Sequence, residues 1–132
     1  MSLLADWDDQ AQMVLRIDLT GEWGWKEFDA AIDQGFTMIR EADHPVDVII
    51  NLTESTAFPA MQSQRHFQRM LSQKPSNTGM IIAAGGDSFV SGLFASFLQT
   101  RLADYLTQAR AMLANQARLG TLPFHSNEFI GK

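Results

Sequence analysis

The chain has 132 residues, a formal net charge of −5 at pH 7 and no cysteine. Its length suits one domain, which at this size buries roughly two-thirds of the surface of the unfolded chain. The absence of cysteine excludes disulfides, thiolate catalysis and cysteine-based zinc sites. The acidic balance argues against a nucleic-acid partner.

Hydropathy gives a first expectation about location. No apolar run approaches the ~18–20 residues that are needed to cross a bilayer. The amino terminus also lacks the basic region and the long apolar region of a signal peptide. We therefore expect a cytoplasmic protein with no membrane span.

The first 20 residues carry the alternation of a β-hairpin. Residues 3–7 are predicted to form a strand, and Asp8-Asp9-Gln10 a polar turn. From residue 13 to 20, apolar and polar positions alternate, which is typical of a strand with one covered face. The apolar positions are Met13, Leu15, Ile17 and Leu19. We expect an antiparallel hairpin that Gly21 ends.

The period then becomes helical. Apolar residues recur at spacings of 3, 4, 4 and 3, at Trp25, Phe28, Ile32, Phe36 and Ile39. The Asp43-His44-Pro45 segment ends this first predicted helix.

The central prediction is a strand over residues 46–52. Val48, Ile49 and Ile50 leave no polar face, so this strand should be buried on both sides. Ligands of α/β sheets usually bind beyond the carboxyl ends of the strands. The candidate binding residues here are Asn51, Thr53, Ser55 and Thr56.

The second half of the chain repeats the alternation of helix and strand. We predict a helix at about 62–73, a strand at 78–84, a helix from about 88, a weak strand at 100–103 and a helix at about 106–117. Gly120 should follow the last helix as its C′ residue. Residues 1–120 thus form one domain. Residues 121–132 have no period but contain four large apolar residues, so docking and disorder both remain open for this tail.

Three segments resemble the STAS domain, named for sulfate transporters and anti-sigma-factor antagonists. The resemblance is to the bacterial branch that is also likened to CRAL-TRIO lipid-binding domains. The segments are Leu19-Thr20-Gly21-Glu22-Trp23-Gly24-Trp25, His44-Pro45-Val46-Asp47-Val48-Ile49-Ile50-Asn51-Leu52 and Leu102-Ala103-Asp104-Tyr105-Leu106-Thr107-Gln108-Ala109-Arg110. The resemblance implies a single α/β domain with a mixed sheet of four or five strands and about four helices. It also implies a regulatory role.

The loop after the central strand departs from that family. Anti-sigma-factor antagonists carry a phosphorylatable serine after an aspartate, with a glycine soon after. Here Ser55 and Thr56 supply hydroxyls, but no Asp-Ser pair and no such glycine is present. Whether either hydroxyl is phosphorylated stays open.

Catalytic and metal-binding signals are weak. The three histidines, His44, His66 and His125, lack the spacing of a helical metal pair, so we expect solvated or packing roles and neither metal nor cofactor. Ser88 follows Gly85-Gly86-Asp87 at a predicted strand-to-helix turn, as a nucleophile would, but Val90 replaces the last glycine of that motif. Helix capping is the favoured role of Ser88, and a Ser88 hydrolase is the third hypothesis.

Two further features suggest contact surfaces. Trp23 is out of register with the first helical stripe, so exposure at an interface is one interpretation. Arg65 and Arg69 belong to the basic surface of the second predicted helix, whose usual interpretation is a solvated face.

Two functional hypotheses follow. The first is a non-catalytic regulatory module that binds a protein partner or forms a homodimer. The alternative is a small-molecule domain that holds a lipid or an anion between the 51–56 loop and the 85–88 turn. The candidate residues for binding either a ligand or a partner are Asn51, Thr53, Ser55, Thr56, Gly85, Gly86 and Ser88.

Overall fold

The computed structural model describes residues 3–57, 59, 63–85 and 101–120. Seven strands lie in these ranges: β1 (Leu3–Trp7), β2 (Val14–Leu19), β3 (Gly21–Glu22), β4 (Val46–Leu52), β5 (Ser55–Ala57), β6 (Thr78–Gly85) and β7 (Arg101–Ala103). The helices in the same ranges are α1 (Trp25–Glu41), α2 (Ser63–Gln73) and α3 (Leu106–Gly120).

Five strands form the main sheet in the order β1-β2-β4-β6-β7. β1 and β2 pair antiparallel, and every other pair is parallel. Asp9 shapes the hairpin turn, because its Oδ1 accepts the amides of Met13 and Val14 at 3.0 and 3.1 Å. The predicted α/β class, the hairpin and the mixed sheet are confirmed.

One face of the sheet packs against α1 and α2. The alternating positions Leu15, Ile17 and Leu19 of β2 are fully buried there. They meet the helical stripe that includes Phe28 and Phe36. The predicted helix α1 and the prediction that two helices share one face are therefore confirmed.

The other face carries a smaller core under α3. Ile49, Ile82 and Ala84 of the sheet pack there against Ala109 and Leu113. Ile49 and Ile50 point to opposite faces and both are fully buried, as predicted for a central strand.

A second, two-stranded sheet was missed by the sequence prediction. β3 and β5 continue from the carboxyl ends of β2 and β4 and pair in parallel. Gly21 takes a positive φ of 65°, which lets the chain turn from β2 into β3, and its amide donates to the carbonyl of Glu54 at 2.8 Å. This small sheet lies beyond the carboxyl ends of β2 and β4.

Other boundaries differ by a few residues. The weak strand at 100–103 is present as β7. Gly120 is the last residue of α3, so its prediction as the residue after the helix is wrong. The helix predicted from residue 88 and the tail 121–132 lie outside the described residues, so the predicted count of four helices becomes three among those that are described. No helix in the described ranges is both long and apolar enough to cross a membrane.

Candidate functional site

The loop that follows β4 is held in place by Asn51. The Asn51 side chain is 7% exposed. Its Oδ1 accepts the amide of Thr53 at 3.1 Å and the Thr53 hydroxyl at 2.6 Å. Its Nδ2 donates to Asp18 Oδ1 at 2.7 Å. A buried amide with both ends satisfied fixes the turn that begins at Thr53.

Gly85 brings the end of β6 against the same turn. Gly85 has a φ of +85°, and a Cβ at this position would lie 2.8 Å from the Thr53 backbone. The two segments predicted to share the carboxyl edge therefore do meet at Thr53 and Gly85. Gly86 and Ser88 lie outside the described residues.

Ser55 has a structural partner. The Trp23 indole Nε1 donates to Ser55 Oγ at 2.8 Å, which joins the segment before α1 to β5. The interpretation of Trp23 as exposed is wrong, since Trp23 is 4% exposed. Its ring stacks on Phe28, with centroids 5.8 Å apart. The helical stripe did not reveal this burial because Trp23 precedes the helix and belongs to the segment that packs under β5.

The outward surface of the loop is polar. Thr53, Glu54 and Thr56 are exposed, while Ser55 is half-buried. Thr56 therefore presents its side chain to solvent, whereas the Ser55 oxygen is occupied by the indole of Trp23.

The predicted basic surface of α2 is partly used within the chain. Arg69 Nη2 donates to Asp33 Oδ2 at 2.9 Å. His66 Nδ1 and Asp29 Oδ2 share a hydrogen bond of 2.9 Å. These contacts join α2 to α1, whereas Arg65 is exposed.

Two of the three histidines lie in the described residues. The His66 ring stacks on Trp25, with centroids 4.7 Å apart and planes 4° from parallel, which is a packing role. His44 is exposed. His125 lies outside the described residues. In the ranges that the structure describes, no group of three or more His, Cys, Asp or Glu residues could hold a metal ion.

The sequence did not predict a hydrogen-bond network that crosses the second face of the sheet. Arg110 Nη2 and Arg16 Nη1 both donate to Asp8 Oδ1, at 2.8 and 2.7 Å. Arg16 Nε then donates to Asp18 Oδ1 at 2.9 Å. Asp18 in turn accepts Asn51 Nδ2, so hydrogen bonds run without a break from α3 to the loop that begins at Thr53.

Asp8 is the centre of this hydrogen-bond network. Its side chain is 5% exposed and lies between the two guanidinium groups. The hydrogen bond from Arg110 lowers the pKa of Asp8, and the hydrogen bond from Arg16 and both positive charges act in the same direction, against the opposing effect of burial. Asp8 was predicted as a turn residue. The one available signal was the alternation of Arg16 and Asp18 on the polar side of β2.

Comparison of the chain with protein-family models and with curated proteins finds no match.

Proposed function

We propose that this chain is a non-catalytic, STAS-like interaction module that binds a protein partner through the exposed loop 53–56. One observation carries the proposal. The backbone of this loop is fixed on three sides, while the side chains of Thr53, Glu54 and Thr56 face solvent. The three supports are the Asn51 amide, the β3–β5 pairing and the contact with Gly85.

A loop fixed in this way suits recognition of another macromolecule. Binding residues are often found on loops that a rigid scaffold positions. Because the loop is already ordered, a partner would not have to supply the entropy cost of ordering it. The Thr56 hydroxyl and the Glu54 carboxylate offer directional hydrogen bonds without requiring an enclosed cavity, whereas the Thr53 hydroxyl already donates to Asn51 Oδ1.

The architecture supports the family part of the proposal. The resemblance implies a hairpin followed by alternating helices and parallel strands around one mixed sheet. The order β1-β2-α1-β4-α2-β6, with its two short additional strands, agrees with that expectation. Fold likeness does not assign a function, so the loop carries the functional argument.

Site-specific photo-crosslinking tests the proposal. A benzophenone amino acid replaces Thr56, and the matched control places it at Ala111, which is exposed on α3. We expect one protein to crosslink at position 56 and not at position 111 in the source cells. Glu54→Ala should then weaken binding of that purified protein.

Two results would contradict the proposal. One is equal crosslinking at both positions. The other is steady turnover of an ester substrate that is lost in Ser88→Ala, which would favour the hydrolase hypothesis instead.

A lipid or anion site at the same edge is the second candidate function. The observation in its favour is that Thr53 and Gly85 adjoin, so the 51–56 loop and the start of the 85–88 turn lie together. Native mass spectrometry of protein purified from cells tests it. A bound mass that disappears in Thr53→Tyr would support this function, and the mass of the unliganded chain throughout would refute it.

In a second form of the first proposal, the protein partner is another copy of this chain. Because Trp23 is buried, its side chain cannot supply an exposed contact for a homodimer. The exposed apolar side chains of Leu71 and Tyr105 still offer contact area. Light scattering at increasing concentration decides between the two forms, because a constant monomer mass would exclude the homodimer.

A further inference from the structure

A cavity of about 440 Å³ lies between the hairpin turn and α3. It opens at the amino ends of the parallel strands, since Val14 begins β2 and Asp47 is the second residue of β4. The proposed binding loop 53–56 is at the opposite edge of the sheet. The volume falls within the range of about 300–1,000 Å³ that is common for small-molecule sites.

Most of the wall is apolar. Met13 and Val14 line the cavity from the hairpin, and Leu113 and Ala114 line it from α3. Met13 is 45% exposed, so part of its apolar side chain is in contact with water. A hydrocarbon group in this space would therefore remove both Met13 and itself from water.

Only some of the charged side chains that line the cavity are paired with an opposite charge. Arg110 is paired with Asp8 through hydrogen bonds of 2.9 and 2.8 Å, so these two charges offset each other. Asp9 and Asp47 also line the cavity. Among the described residues, neither has a cationic partner within ion-pair distance.

One oxygen of each of these two carboxylates accepts no hydrogen bond within the described part of the chain. Within the described part of the chain, the side-chain hydrogen bonds of Asp9 all end on Oδ1, from the Met13 and Val14 amides. Asp47 Oδ1 likewise accepts the Met80 amide at 2.8 Å. The Met13 backbone links the two residues, because its carbonyl accepts the Asp47 amide at 3.0 Å. Two carboxylate charges thus adjoin one apolar space.

We propose that this cavity binds a small organic cation, a protonated amine carried on a hydrocarbon group. The ammonium donates to the Oδ2 atoms of Asp9 and Asp47, and the hydrocarbon lies on Met13 and Leu113. Charge complementarity selects the cation, because a neutral analogue would forgo the charge-assisted hydrogen bonds and an anion would be repelled. This site is separate from the loop 53–56 and does not depend on the proposed function.

Titration calorimetry with benzylamine at pH 7 tests the inference. Benzyl alcohol and benzoate serve as the neutral and anionic analogues of similar size. We expect benzylamine to bind at least about tenfold more tightly than either, which corresponds to one charge-assisted hydrogen bond.

Variants place the binding in the cavity. Asp9→Asn should weaken benzylamine binding about tenfold, because it removes the charge and keeps an oxygen for the Met13 and Val14 amides. Ala114→Phe should abolish binding by filling the cavity. Ala111→Phe adds the same ring to the exposed side of α3 and should leave the affinity unchanged.

Three results would overturn the proposal. The first is equal affinity for benzylamine and benzyl alcohol. The second is benzylamine binding that survives in Ala114→Phe. The third is binding of a lysine-containing peptide without binding of any free amine, which would make the cavity a protein-docking site instead.

Discussion

The two faces of the central sheet differ in what they bury. The face under α1 and α2 holds large apolar side chains, including Phe28, Phe36 and Phe67. Among the described residues, the face under α3 holds aliphatic side chains such as Ile49, Ile82 and Leu113, and beside them lie the hydrogen-bond network around Asp8 and the cavity. Among the described residues, the first face therefore contains the larger apolar core, whereas the second face borders a cavity and several charged side chains.

Truncating one large buried side chain on each face tests this comparison most strongly. Phe36→Ala should lower the free energy of unfolding by about 3–5 kcal/mol, because it leaves a cavity in a close-packed core. Leu113→Ala should cost about 2 kcal/mol, since Leu113 already borders open space. Urea denaturation measures both values. Equal losses would remove the distinction between the faces.

Replacing Gly85 tests the carboxyl edge of the main sheet, where the end of β6 contacts Thr53. Gly85→Ala should cost about 2 kcal/mol or more, because its φ of +85° strains an alanine and the new Cβ would press on the Thr53 backbone. Gly24→Ala is the matched control and should cost less than about 1 kcal/mol. Its Cβ would meet only the flexible end of Glu27, at 3.0 Å. Thermal unfolding of both variants checks the difference, and similar Tm values would contradict it.

Replacing Asp8 tests the hydrogen-bond network on the second face. Asp8→Asn should lower the free energy of unfolding at pH 7 by about 1–3 kcal/mol, because Arg16 and Arg110 lose their shared carboxylate. Both guanidinium groups are partly exposed, and solvent screening reduces the cost.

The effect of Asp8 should also depend on pH. The pKa of Asp8 is lower in the folded chain than the value of about 3.9 in an unfolded one. Its stabilisation is therefore fully present above that unfolded value and is lost as the pH falls through the lower, folded pKa. Urea titrations of the original chain and Asp8→Asn from pH 7 to pH 2 should converge at the acidic end. A constant gap would show that the Asp8 charge is not responsible.

Arg69 provides the smallest expected effect. Its ion pair with Asp33 joins α1 to α2 at the surface, where such pairs are typically worth about 0.2–1 kcal/mol. Arg69→Ala should therefore change the free energy of unfolding by no more than that amount. A larger loss would mean that polar contacts also hold the first face together.

The sequence predicted the elements whose period is long enough to detect. The two-residue alternation of β2 and the helical stripe of α1 each span several repeats, and both elements were predicted correctly. β3 and β5 contain two and three residues, which is too few to show a period. The candidate loop was located because it follows β4 directly.

The contacts on the second face could not be predicted in the same way. Asp8 and Arg110 are 102 positions apart, and nothing in the pattern of either segment indicates that they pair. The cavity likewise depends on how α3 sits against the hairpin. Long-range packing decides both features.

A methyl NMR titration with benzylamine tests the division between the two faces most directly. Met13 and Leu113 report on the second face, and Ile32 and Ile39 report on the first. We predict that the signals of Met13 and Leu113 move with increasing ligand while those of Ile32 and Ile39 stay in place. Movement of the Ile32 and Ile39 signals with Met13 and Leu113 unchanged would contradict the account.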